Sequence, residues 1–159
     1  MDNQSPEDRS QEAARITKTY MGWTAGAAFL PVPLLDLAAV SGIQVKMVAD
    51  LAAVYDQPFS RNAVKSIIAG LIGSVAPSAL ARGASSLVKS VPGVGSILGA
   101  VTGPALASAS TYAVGKVFTQ HFEAGGNILN FDANAMRNYF KEQFDGVLAA
   151  DKNKKPAAA

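Results

Sequence analysis

The spacing of apolar positions along the chain predicts helices and no strands. A hydroxyl, a proline and two acids at Ser5, Pro6, Glu7 and Asp8 mark a helix start, so a first helix is expected from about Pro6 toward Phe29. Its first half is polar, and from Thr19 to Leu35 it carries no charge. Pro31 and Pro33 remove amide donors and predict a break and a tight connection to a second helix over about Leu34 to Tyr55. There Leu37, Val40, Gln44, Met47, Val48, Leu51 and Val54 recur at helical spacing, with Lys46 and Asp50 on another side. DQPFS ends it, and Ser60 can cap a third helix that carries SIIAGLIGSVAPSALA between Lys65 and Arg82, with Pro77 expected to kink or end it. Near the end of the chain Gly125 and Gly126 signal a helix stop, and Phe131 and Asp132 open a last helix. Met136, Phe140, Phe144 and Leu148 give that helix an apolar stripe opposite Arg137, Lys141 and Asp145. The tail KNKKPAAA reads as disordered.

Residues 91 to 118, VPGVGSILGAVTGPALASASTYAVGKVF, have a different pattern. Gly95, Gly99, Gly103, Ala107, Thr111 and Gly115 recur every fourth position, and the 26 residues between Lys89 and Lys116 are uncharged. Small residues at that spacing make a helix face which another helix can approach closely, the logic of small-residue packing in membranes. The step of four drifts around the helix, so Pro104 divides the stripe into two shorter faces, Gly95 to Gly103 and Ala107 to Gly115. A straight helix here would reach about 39 Å, and the apolar run between Lys65 and Arg82 only about 24 Å, against roughly 30 Å of hydrocarbon. With Pro92 and Pro104 as further breaks, a kinked helix or re-entrant hairpin fits better than a single crossing.

Charge strengthens that reading. Only 16% of the 159 residues are charged, below the roughly 25% of soluble domains. Between Gln57 and Phe122 there is no acid, while Arg61, Lys65, Arg82, Lys89 and Lys116 supply five cations. A hairpin that enters and returns puts all five on one face against anionic lipid headgroups. Tyr20 and Trp23, at the polar-to-apolar change of the first helix, suit a membrane interface. A net charge of +2 gives no reason to expect nucleic acid as a partner. The segment Met1 to Ile16 is acidic and polar rather than a secretory leader, so the N-terminus is expected in the cytosol. By composition the chain divides into a polar helix start at 1–18, a helical membrane-associated domain at 19–146, and a helix end with a basic tail at 147–159.

No reaction chemistry is visible. The glycines of the 91–118 run lack the lysine of a phosphate loop, and GxGxxxG without a preceding strand is not the dinucleotide pattern. There are no cysteines and one histidine, His121, which argues against a metal site or a histidine-based triad. Asp36, in an apolar neighbourhood, either caps the second helix or is a buried functional carboxylate. No cofactor is expected, and no enzyme.

PVPLLDLAAVSGIQVKMVADLAAVYDQPFS, GPALASASTYAVGKVFTQHFEAGG and FDANAMRNYFKEQF, in that order, resemble the bacterial helical domain of unknown function 697. The resemblance covers roughly residues 20 to 146. It implies an all-helical protein of the inner membrane or its cytoplasmic side, related to domains attached to small GTPases. It brings no catalytic residues with it. The combined expectation is an all-α fold of helical hairpins with proline-broken apolar helices, embedded in or associated with the membrane. Such a protein would contact lipid and assemble into homo-oligomers through the small-residue stripe as a scaffold. The alternative is a soluble helical adaptor or regulator that partners a small GTPase.

Overall fold

A computed structural model describes residues 4–27, 33–87 and 95–154, with side chains described at 4–27, 39–75, 104–151 and 153. Among the described residues five α-helices form the fold: α1 (Pro6–Ala27), α2 (Pro33–Val54), α3 (Arg61–Leu87), α4 (Gly95–Glu123) and α5 (Ala133–Lys154). One turn of 3-10 helix, Ile128–Asn130, lies between α4 and α5.

The local signals at both ends act as their chemistry requires. Ser5 Oγ accepts from the amide of Asp8 at 3.2 Å, and Asp8 Oδ2 accepts from the amide of Ser5 at 3.1 Å, a reciprocal cap that starts α1. Asp132 Oδ1 accepts from the amides of Asn134 and Ala135 and starts α5. In α5 the stripe turns inward, with Phe140 and Phe144 buried and Met136 and Leu148 packed against the core.

α4 is the central element and touches α1, α2, α3 and α5. Ala109, Ala113, Val114, Val117 and Phe118 on it are fully buried, together with Met47, Val48 and Leu51 of α2, Val64 and Leu71 of α3, and Phe140 of α5. Removing this apolar surface from water is the main force holding the bundle, roughly 1.5–3 kcal/mol for each large side chain. A polar seam crosses the same core. Gln44, fully buried on α2, donates from Nε2 to Ser110 Oγ and Thr111 Oγ1 of α4, each at 3.0 Å, while its Oε1 has no partner.

The fold is all-α, but the expected membrane embedding is not what this structure shows. Among the described residues no helix is long and apolar enough to cross a membrane. The physical reason is visible in α4, where Ser110, Thr111, Lys116, Thr119 and Gln120 dilute the apolar run and the apolar side chains already face other helices of the chain. Insertion as helical hairpins, an integral or monotopic place in the inner membrane, and lipid as the partner of those hairpins therefore lose their basis.

The break expected before the second helix is present, whereas the interior prolines do not end their helices. Pro33 opens α2 at its first position, where the missing amide is not needed. α3 continues past Pro77 to Leu87, and Pro104 lies inside α4. Pro104 is buried, and packing there offsets the one hydrogen bond that it removes. Pro31 and Pro92 lie outside the described residues. At the C-terminus α5 runs to Lys154, so the first part of the supposed tail is helical.

Candidate functional site

Two side-chain contacts bring three helix ends together. Arg9 in the second turn of α1 donates from Nη2 to Asp56 Oδ2 at 3.2 Å, just beyond the end of α2. Tyr55 OH donates to Glu123 Oε1, at the end of α4, at 3.0 Å. The start of α1, the α2–α3 turn and the end of α4 therefore lie at one end of the bundle. Between them is an open cleft of roughly 670 Å³, lined by Glu7, Arg9, Tyr55, Gln57, Phe122 and Glu123 among others. Aromatic rings back it: Tyr55 and Phe122 are 5.9 Å apart, Phe122 and Phe118 5.8 Å, and Phe118 stacks on Phe131 at 4.9 Å.

Glu7, Glu123 and Arg9 are the charged residues of its lining. Asp8 and Asp132 cap their helices nearby, and Arg61 stands at the start of α3. Arg9 is committed to Asp56, and its buried Nε has no acceptor. Burial raises the pKa of Tyr55 well above the ordinary tyrosine range, and its bond to Glu123 raises it further, so the phenol remains a donor.

The turns around the cleft expose apolar side chains. Phe59 is 42% exposed and Leu129 85%. Leu129 is on a turn with little freedom. Gly125 takes a φ of 82°, the left-handed conformation of a helix stop, and the amide of Gly126 bonds back to His121 O at 2.9 Å. Asn127 Oδ1 then accepts from the amides of Leu129 and Asn130, and Asn130 Oδ1 accepts from the amide of Asn127 at 2.8 Å. His121 Nε2 lies 2.8 Å from Asn127 O and 3.0 Å from Asn130 Oδ1, so the Nε2–H tautomer ties the turn to α4. Ile128, next to Leu129 in the chain, is buried in the core.

The residues singled out by sequence are spread over the molecule. Tyr20 is buried and donates its hydroxyl to Asp50, which Lys46 also contacts, while Trp23 is 55% exposed with its ring 4.9 Å from that of Tyr20. Tyr20 is thus occupied within the α1–α2 pair. Thr111 and Gly115 of the small-residue stripe are also used inside the chain: Thr111 receives Gln44, and a Cβ at Gly115 would come within 2.5 Å of Thr17 Cγ2 on α1. The close approach that glycine permits here is to the chain's own first helix, which corrects the reading of this half as a glycine zipper between copies. Ala107 is half-buried. Gly95, Gly99 and Gly103 belong to the backbone of α4, and Asp36 and Arg82 to those of α2 and α3, but their side-chain surroundings lie outside the described residues. So does Lys89. Arg61 and Lys65 are exposed and Lys116 is half-buried. No described group of histidines, aspartates and glutamates could hold a metal ion.

This all-helical chain belongs to the family described as Domain of unknown function (DUF697), whose model matches residues 1–147. It is similar to Magnetosome membrane protein 22 of Magnetospirillum gryphiswaldense, at 43% identity over 155 residues, covering 95% of this chain and 80% of that protein. No solved structure matches. The family description names no activity, and neither it nor the relative's name mentions a GTPase. The small GTPase partner implied by resemblance thus has no support here.

Proposed function

We propose that the chain is a non-catalytic helical adaptor that binds another protein through the cleft end of its bundle. The observation that carries this reading is Leu129. A large aliphatic side chain is held almost entirely in solvent by a turn fixed through asparagine caps, a left-handed glycine and a histidine contact. A rigid exposed anchor loses little conformational freedom on binding, which is the economy expected at the centre of a recognition surface. Phe59 adds an exposed aromatic ring on the second turn of the same end. Docking onto a protein needs no crossing helix, so the reading is compatible with a relative that bears a membrane protein's name.

The test is photo-crosslinking in cells that express the full chain. A photoreactive residue is placed at Leu129 or Phe59, and as controls at Gly42 or Gly146, where a Cβ meets nothing within 4 Å. An adduct of one size from 129 and 59, absent from the controls, supports the proposal. The same adducts from all four positions, or none from 129 and 59, would sink it.

A further inference from the structure

One donor in the cleft lining is left unsatisfied by its surroundings. Tyr55 OH is taken by Glu123, and Gln57 Nε2 donates to Tyr55 O at 3.2 Å. Arg9 donates from Nη2 to Asp56, but its Nε is buried and has no acceptor. Shielding a cationic N–H from water without a partner is unfavourable, and a group that supplies the missing acceptor recovers that loss. Little opposes a turn of the guanidinium toward the cleft, because the Asp56 carboxylate that holds it is 80% exposed and the pairing is screened by solvent. Nε–H and Nη2–H lie parallel on one edge of a guanidinium, and a single carbonyl oxygen with two lone pairs can accept from both. The charge around Arg9 selects the kind of acceptor. Glu7 and Glu123 share the lining and Asp56 stands against the guanidinium, so an anion would meet three carboxylates for one cation. An uncharged oxygen escapes that repulsion.

Resting on the adaptor reading, we infer that Arg9 is the recognition residue of the cleft and that the occupant is an uncharged stretch of the partner protein, whose backbone carbonyl accepts from Nε. A peptide backbone offers a neutral acceptor at every residue, and the open cleft lets a chain enter without being cut off. Pro6 and the ring of Phe122 in the wall give its side chains apolar contact. An acidic stretch would satisfy Nε but be repelled by Glu7 and Glu123, which makes the carboxylates a filter rather than a ligand set.

The probe is a synthetic peptide of leucine and glycine, acetylated and amidated so that it carries no charge, titrated into the full chain labelled with nitrogen-15. The Arg9 Nε–H resonance reads the contact directly and should move to lower field in a saturable way, together with the amides of Gln57 and Gly125. The same peptide with a free C-terminal carboxylate should bind about fivefold more weakly. Arg9→Lys keeps the charge and can still reach Asp56, but it lacks the Nε–H donor and should weaken binding by about tenfold. Asp56→Asn, which tolerates the φ of 53° at that position, loosens the hold on Arg9 and should not weaken binding. Were Arg9 only a tie between α1 and the α2–α3 turn, the two variants would act in the same direction. The inference is overturned if the Nε–H resonance does not shift, if Arg9→Lys binds equally well, or if Asp56→Asn loses as much as Arg9→Lys. Tighter binding of the carboxylate peptide, or of inorganic phosphate, also overturns it by showing an anion site. In cells, a photoreactive residue at Ser10, exposed in the lining, should give the adduct seen from position 129, and Arg9→Lys should diminish it. An adduct from 129 with none from 10, or one from 10 that Arg9→Lys leaves unchanged, overturns the cleft occupant and leaves the adaptor standing. Absence of adducts from 129 and 59 in the unaltered chain removes the adaptor itself.

Discussion

Asp56 closes α2 with a φ of 53°, in the left-handed region where glycine is the usual residue. The amide of Gln57 bonds to Ala52 O at 2.8 Å and that of Asp56 to Ala53 O at 3.3 Å, so the backbone there is fixed by the helix stop. Aspartate tolerates this conformation better than most residues but still at some cost. Its carboxylate is 80% exposed and holds Arg9, a pairing worth about 0–1 kcal/mol. Asp56→Gly should therefore leave the chain as stable as before or stabilise it by about 0.5 kcal/mol, whereas Asp56→Ala should cost about 1 kcal/mol. Urea denaturation orders the three proteins, and a glycine variant less stable than the alanine variant would contradict the backbone argument. At Gly126 the space is closed rather than strained, because a Cβ would overlap the ring of His121. Gly126→Ala should displace that ring from Asn127 and Asn130, cost about 1–3 kcal/mol, and speed hydrogen exchange at Leu129 and Asn130. Unchanged exchange would mean that His121 does not hold the turn.

Among the elements, the α1–α4 crossing depends most on a single position. With Thr17 Cγ2 and Oγ1 at 2.5 and 2.6 Å from the site of a Cβ at Gly115, Gly115→Ala must push the helices apart or rotate Thr17, whose hydroxyl bonds to Ala13 O at 2.9 Å. A loss of about 1–3 kcal/mol is expected, and Thr17→Ala in the same chain should recover much of it, because the two changes share one space. Additive losses in the double-mutant cycle would show that the crossing does not depend on this contact. The sequence shows that Gly115 belongs to a small-residue face, since a period of four is local information. It cannot show that the partner is α1, almost a hundred residues away, because that depends on how five helices share one core. Legibility falls off in the same way elsewhere. The caps at Ser5 and Asp132, the α5 stripe and the stop at Gly125 rest on neighbours within a turn or two, and they were readable. The continuation of α3 past Pro77 was not, nor was the meeting of Arg9, Tyr55 and Glu123 around the cleft, which depends on tertiary packing. Local signs of the Leu129 turn were present in GGNILNFD, where asparagines flank an isoleucine–leucine pair, but the three-residue 3-10 turn is too short for periodicity to reveal.

For the whole molecule, two tyrosines join helices through acidic partners and make stability depend on alkaline pH. Burial raises the pKa of Tyr55 above the ordinary value of 10.0, with its bond to Glu123 adding to the shift, and burial followed by the bond to Asp50 does the same for Tyr20. Above pH 10.0 the unfolded chain loses these phenolic protons while the folded chain keeps them, so unfolding releases protons and becomes more favourable as pH rises. The stabilisation is therefore full below pH 10.0 and is lost progressively above it. Near pH 8, Tyr55→Phe should cost only the net value of one hydrogen bond, about 0.5–1.5 kcal/mol. Near pH 11 the gap between variant and unaltered chain should narrow, because the phenylalanine variant no longer has that proton to release. Tyr20→Phe should behave alike, and the double variant should show the flattest alkaline profile. Urea denaturation at the two pH values decides the matter: a gap that widens with pH would mean that the folded state favours the tyrosinate. Tyr55 links the end of α2 to α4 at the cleft and Tyr20 links α1 to α2 beside Trp23, so a parallel decline would show the α2–α4 and α1–α2 contacts unfolding as one cooperative unit.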